Sequence, residues 1–326
     1  MRVLAGDVGG TKTVLALIDT ARDQRSPLFE QLYPSAQFNS FEEVLQDFLQ
    51  HIGDVRPEAV AVGVAGPVFN GEARITNLPW VIRESDLRML VGVERVRVLN
   101  DLEAIANAIP SLHDEDVLAL DDNTPEPGAP IGVIAPGTGL GEAFLLCWDG
   151  HYHAFPSEGG HADFAPNNEL EADLLRYLQR KFGRASYERV CSGIGIPNVY
   201  RFLRDGAYIA ESPQVAAELN NASDPTPVIV KHAMSDPADP LCLAVMDIFA
   251  SVLAAKAGNL ALTIIATGGI YLAGGMPLRI LPLLLRESFL QTFRRKGRLT
   301  GLMQRVPLRV VTNPKVGLLG AVRAVS

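Results

Sequence analysis

The chain has 326 residues, 48% of them hydrophobic, with a net charge of −8 and three cysteines. That length favours two domains and can bury a large core without staples. Scattered Lys and Arg leave no basic footprint for nucleic acid, and the separated Cys147, Cys191 and Cys242 fit neither a disulfide framework nor a thiolate zinc site, so a reducing cytoplasm is expected.

The chain opens with "VLAGDVGGTKTVLALID", two apolar runs joined by a glycine turn. Asp7 interrupts the first run too soon for a signal peptide. The pattern predicts a β-hairpin. It is not a P-loop, because no G-x-x-x-x-G-K-[ST] occurs anywhere. Nor is it a Rossmann turn, which must open a helix. A phosphate bound here would be held by hairpin amides, as in an anion-binding nest. Gly9, Gly10 and Thr11 would form that clamp, their glycines letting the backbone approach closely. Asp7, at the strand end beside them, suits hydrated Mg²⁺, which prefers carboxylate, water and substrate phosphate ligands. An Asx-type turn is its structural alternative.

Farther along, "AVAVGVAG" (59–66) and "RVRVLND" (95–101) read as strands, and "LEAIANAI" (102–109) as a helix ending before Pro110. Asp101 stands where strand passes into helix. A helix N-cap accounts for it, but so does ligand chemistry, since open α/β sheets bind ligands at strand C-terminal ends. After an acidic, turn-rich loop at 121–130, residues 131–150 repeat the first unit. Here the apolar runs flank a turn at Gly137, Thr138 and Gly139. Two such units suggest an internal duplication.

"NELEADLLRYLQRKFG" predicts a helix capped by Asn168, stopped by Gly183, with Leu170, Leu174, Leu175, Leu178 and Phe182 on one face. Glu188 falls in the first turn of a short helix capped by Ser186, where an acid also suits the dipole. The uncharged run 257–278 is long enough to span a bilayer. Yet it contains Asn259, Thr263, Thr267, two Gly-Gly pairs and Pro277. It reads instead as a buried helix, a break at Gly268-Gly269 and a strand, "IYLAGG", so no membrane span is expected. The chain closes with a strand, "RVVTNP", and a helix, "KVGLLGAVRAV".

With both glycine hairpins and "LAGGMP" in view, the sequence resembles the hexokinase–actin–Hsp70 phosphotransferase superfamily, and within it the bacterial ATP-dependent glucokinases. "GDVGGTK" resembles the first phosphate motif, "APGTGLGEAF" the second, and "LAGGMP" the adenosine motif. "LNDLEAIA" and "LLGAVRA" resemble the connecting helices, "SEGGHADFAP" and "SYERVCSGIGI" the sugar-site segments. Lys12 departs from the Asn of those glucokinases, which leaves its role open. No cysteine follows His161 until Cys191, so the zinc motif of many ROK sugar kinases is not expected.

The resemblance implies an α/β fold of two actin-like ATPase (ribonuclease H-like) domains flanking a central cleft. Residues 1–110, rejoined by 313–326, would form the small domain, and 111–312 the large one. ATP would be held by Gly6, Asp7, Val8, Gly9, Gly10 and Thr11, by Gly137, Thr138 and Gly139, and by Gly274 and Gly275 at adenosine. Asp7 would carry Mg²⁺ through water. Asp101 would be the general base toward the 6-hydroxyl of D-glucose. Asn100, Glu158, His161 and Glu188 would bind other hydroxyls, with Asn77 and Thr76 adding contacts; a carboxylate suits a vicinal diol. The expected protein is a homodimeric, cytoplasmic glucokinase with no nucleic-acid or membrane partner. A kinase for another hexose or amino sugar is the nearer alternative. A sugar-responsive regulator of the same fold is the farther one, although such regulators usually place a helix-turn-helix before the first hairpin.

Overall fold

The computed structural model describes residues 1–75 and 78–326. β1 (Arg2–Val8) and β2 (Lys12–Asp19) form the expected antiparallel hairpin, with Val8 opposite Thr13. β3 (Phe29–Pro34) adds to β2, and β4 (Ala59–Val64) lies parallel to β1. A small separate sheet comes next, made of β5 (Val68–Phe69), β6 (Glu72–Arg74) and β7 (Val81–Arg83). β8 (Arg95–Asn100) then pairs parallel with β4, giving the order β3-β2-β1-β4-β8.

β4 is buried along its whole length, as its continuous apolar run requires of a strand covered on both faces. On one face Leu4, Val60 and Val62 pack with Phe41, Val44, Leu45 and Phe48 of the helix Phe41–Ile52. On the other, Ala5, Ala16, Ala59 and Ala61 meet Leu318, Ala321 and Val322 of the C-terminal helix Val316–Arg323. These small side chains let that helix lie close to the sheet. It also presses on the helix Asp101–Ala108, so closely that a Cβ on Gly320 would overlap the Ala104 carbonyl.

The second sheet is built from β9 (Val117–Ala119), β10 (Ile131–Pro136), β11 (Leu140–Trp148), β12 (His151–Ser157), β13 (Ile270–Leu272) and β14 (Leu308–Val311). Its order is β12-β11-β10-β13-β14-β9, with β13 parallel to β10 and to β14. Apart from β9, this repeats the first sheet. Three strands consecutive in sequence lie side by side, and two parallel strands extend the first of them. That correspondence supports duplication.

Two compact units result. The first comprises residues 1–116, 143–156 and 313–326, the second 117–142 and 157–312. The resemblance implies that 111–116 and 143–156 belong to the large domain, whereas both segments cluster with the first unit. Nothing in composition marks the change, because β11 runs straight through Glu142 and Ala143.

At the centre of the second unit stands the helix Pro240–Ile264, with Val245, Phe249, Val252 and Leu253 fully buried. It is long and apolar enough to cross a membrane, but 78% of its most apolar window is buried inside the fold. It ends at Ile264, and the chain turns before β13. The uncharged run thus divides into helix, glycine break and strand. The helix Glu169–Phe182 is capped by Asn168, whose side chain accepts from Glu171 N, and stops at Gly183 with φ 75°.

Candidate active site

In the first unit the chemistry gathers at the C-terminal ends of β1, β4 and β8. The turn Gly9-Gly10-Thr11 is closed by Gly9 N donating to Lys12 O at 3.0 Å. Ser35, which no sequence motif marks, supports it from behind. Its Oγ donates to Gly9 O at 2.9 Å and meets Thr13 Oγ1 at 3.0 Å, while its amide donates to Thr11 O.

Asp7 pairs in register with Gly63 of β4. Its Oδ2 lies 3.5 Å from where a Cβ on Gly317 would stand, at the first turn of the C-terminal helix. Asp101 begins the helix after β8, with its Cα 3.9 Å from the same construction on Gly63. The strands bearing the two aspartates are therefore separated by one strand, a span of about 10 Å.

Asn100, and not Asp101, is the N-cap. Its Oδ1 accepts from Leu102 N at 2.9 Å and Glu103 N at 3.4 Å, while Nδ2 donates to Gly66 O at 3.0 Å. Asp101 occupies the first helical position and accepts from Leu102 N at 2.9 Å. Burial raises its pKa to about 6; the Leu102 amide opposes the shift and the negative charge of Asp7 adds to it. Asp7 is shifted upward as well, by desolvation, with the Lys12 ammonium pulling the other way. It nevertheless retains solvent-accessible surface, which describes a carboxylate in an open recess crowded by protein atoms. Two repelling carboxylates, one of them accessible, suit a divalent cation, and Asp7 has the hard oxygen chemistry for Mg²⁺.

In the second unit, Gly137 N donates to Gly139 O at 2.9 Å. The carbonyls of Gly137 and Thr138 accept from the amides of Gly193 and Ile194 at 2.8 and 3.1 Å. In a planar trans peptide the N–H points opposite to the C=O. The amides of Thr138 and Gly139 therefore aim away from Gly193-Ile194, as an anion nest needs. Gly274 abuts this region, 3.5 Å from its would-be Cβ to Pro136 O, and Ala273 N donates to Ile134 O. The second glycine turn and the LAGGMP segment are thus neighbours.

The sugar-segment residues also converge. His161 Nε2 lies 3.8 Å from Glu158 Oε2, and its Nδ1 lies 3.9 Å from Glu188 Oε1. Side chains of Glu158 and His161 are 72% and 57% exposed, whereas Glu188 is only 17% exposed. Glu188 Oε2 accepts from Leu140 N at 3.0 Å, just past the phosphate turn. The expected helix at Glu188 is corrected to a three-residue 3₁₀ turn, Tyr187–Arg189, and Ser186 makes no side-chain cap. Such a turn is too short to gain from a side-chain cap or a helix dipole, so the position of Glu188 is set by the Leu140 amide. Thr76 and Asn77 lie outside the described residues.

Glycine turns in hairpins on a duplicated sheet, with acids at strand ends, are the arrangement of ATP-dependent sugar kinases. The solved structure of a glucokinase from an Antarctic psychrotroph is 29% identical, with a TM-score of 0.84, covering 99% of this chain and 98% of that one. A ROK family glucokinase from Streptomyces griseus, solved in complex with glucose and AMPPNP, shares the fold at 19% identity with a TM-score of 0.65, covering 100% and 99% of the two chains. The curated glucokinase of Nostoc punctiforme is 40% identical over 332 residues, spanning 98% of this chain and 97% of that protein. The profile of the Glucokinase family matches residues 4–326, and the chain belongs to that family.

Proposed function

We propose that this chain carries out its family's reaction by moving the γ-phosphoryl group of ATP to the 6-hydroxyl of D-glucose, with Asp101 as general base. The observation that carries this reading is a half-buried carboxyl with pKa near 6, one strand removed from Asp7 and the first glycine turn. At neutral pH it is ionised yet more basic than an ordinary aspartate, as a base should be. The 6-oxygen attacks the γ-phosphorus and its proton passes to Asp101. The bond to the β–γ bridging oxygen breaks, and ADP leaves.

Asn100 Nδ2 gives one hydrogen to Gly66 O, and its amide also serves the Asp101 carboxylate; in this reading the second hydrogen turns to a neighbouring hydroxyl when the sugar binds. Glu158, His161 and Glu188 supply acceptors and a donor to the remaining hydroxyls. Amides of Gly10 and Thr11, and of Thr138 and Gly139, meet the phosphates, since the amides of Gly9 and Gly137 are spent within their own turns on Lys12 O and Gly139 O. Gly274 and Gly275 face adenosine. Asp7 holds Mg²⁺, which when bound neutralises charge on the phosphate oxygens. We place the enzyme in the cytoplasm, in keeping with three free cysteines, and as a homodimer.

The test is coupled ADP release from the purified protein with glucose, mannose, fructose and N-acetylglucosamine. Glucose should give the highest kcat/KM. Equal or better turnover of another hexose would replace glucose with that sugar, since all the contacts named bind hydroxyls in general.

A further inference from the structure

Beneath the sugar-segment residues, the second unit buries a charge pair that sequence patterning did not single out. Lys256 sits within the apolar helix Pro240–Ile264. Its Nζ lies 2.5 Å from Oε2 of Glu142 at the start of β11, with the two side chains only 8% and 7% exposed. The two atoms meet in charge without the alignment of a hydrogen bond. A buried ion pair is weak support for stability, because packed apolar side chains often serve as well or better.

What this pair touches suggests another role. A Cβ on Gly159 would overlap the Glu142 carboxylate, and one on Gly160 would overlap the Leu140 carbonyl. The 3₁₀ turn Gly159–His161 therefore rests directly on Glu142 and its strand, and this turn carries Glu158 and His161. On the other side, Lys256 Nζ stands 5.3 Å over the ring of Tyr187. One helical turn on, Asn259 Nδ2 donates to the Tyr187 hydroxyl at 2.9 Å, and Asn259 Oδ1 accepts from Lys296 Nζ at 2.6 Å. Tyr187 is the residue before Glu188. A single ion pair thus contacts both turns that bear the sugar-binding side chains.

We propose that the Glu142–Lys256 pair is a positioning device, which sets the turns of Glu158-His161 and of Tyr187-Glu188 at the spacing glucose requires. The proposal rests on the reading of Glu158, His161 and Glu188 as glucose ligands. Glycines at 159 and 160 leave no side chain between turn and carboxylate, so a displaced Glu142 displaces the turn. Lys256 fixes Glu142 by charge and Tyr187 through its ring. The second phosphate turn itself is fastened by Gly193 and Ile194, and Glu188 holds only the Leu140 amide just past it. Loss of the pair should therefore fall on glucose rather than on ATP.

The experiment compares KM for glucose, KM for ATP, kcat and thermal unfolding across the parent, Glu188→Gln, Glu142→Gln and the double variant Glu142→Met/Lys256→Met. Glutamine keeps the shape of Glu142 and leaves Lys256 without its counter-charge. The double variant removes both charges while keeping apolar volume, a replacement folds usually tolerate. Glu142→Gln and the double variant should each raise the glucose KM about tenfold, since small misplacements of binding groups are costly, while the ATP KM stays within about twofold. A merely structural pair predicts that the double variant, once folded, returns to the parent's glucose KM, and that result overturns the proposal. If Glu142→Gln does not fold, the glucose KM of the double variant decides between the two roles. If Glu188→Gln raises the glucose KM but both pair variants leave it unchanged, the positioning role falls and the sugar site stands. If Glu188→Gln leaves it unchanged, the sugar-site reading falls, and the proposal with it.

Discussion

Asn100 takes the helix cap that would otherwise fall to Asp101. Its Oδ1 accepts from Leu102 N and Glu103 N, while its Nδ2 ties the turn to Gly66 O. Asp101 is left on the first helical turn, freed from the cap position. Capping falls to Asn100, and the chemistry proposed for Asp101 to its neighbour. Asn100→Ala should destabilise the fold by about 1 kcal/mol relative to Asn100→Ser, which restores a capping oxygen. Urea denaturation of the two variants checks this, and identical midpoints would mean that the cap contributes nothing.

The raised pKa of Asp101 has a definite sign for stability. Its carboxyl moves from an ordinary value of 3.8 to about 6 on folding, so the folded state holds the proton more tightly than the unfolded chain. The contribution to stability is full below pH 4 and is lost as the pH rises to about 6. Asparagine at 101 has no such proton to lose. Asp101→Asn should therefore melt above the parent at pH 7.5, with the gap closing near pH 4. Thermal unfolding across that range is the check, and a gap independent of pH would count against it. In the parent, kcat/KM for glucose should fall as the pH drops below about 6, when the base becomes protonated.

Asp7 gives the metal prediction. Asp7→Asn removes the carboxylate proposed to hold hydrated Mg²⁺, and should raise the Mg²⁺ concentration for half-maximal rate about 10- to 100-fold, the range seen when partners of a metal's bound ligands are lost. A Mg²⁺ titration at fixed ATP measures this. A midpoint equal to the parent's would show that Asp7 does not hold the ion.

The fold was legible where pattern and punctuation agree. The two hairpins, the helix Glu169–Phe182 with Asn168 and Gly183 at its ends, and the break inside 257–278 all follow from apolar periodicity and glycine placement. What stayed hidden depends on distant partners. Nothing around Ser35 announces that its hydroxyl supports Gly9, twenty-six residues earlier. Ser186 has the composition of a cap, but tertiary packing shortens the helix expected after it to one 3₁₀ turn. Lys256 reads as an intruder in an apolar helix until Glu142 is brought beside it. At Asp101, cap and base readings predict the same sequence; the side-chain hydrogen bonds of Asn100 show which residue caps, and the base role is left to the Asp101→Asn substitution.

The most direct measurement is kcat of Asp101→Asn with glucose and MgATP, read beside glucose affinity by titration and thermal unfolding. Asparagine preserves shape and suits the first turn. A general base therefore predicts a folded protein that still binds glucose but loses about 10²- to 10⁴-fold in kcat, the range typical of positioned acid–base help. A variant that retains kcat within about threefold of the parent, far short of that range, would contradict the assignment of Asp101 as the base.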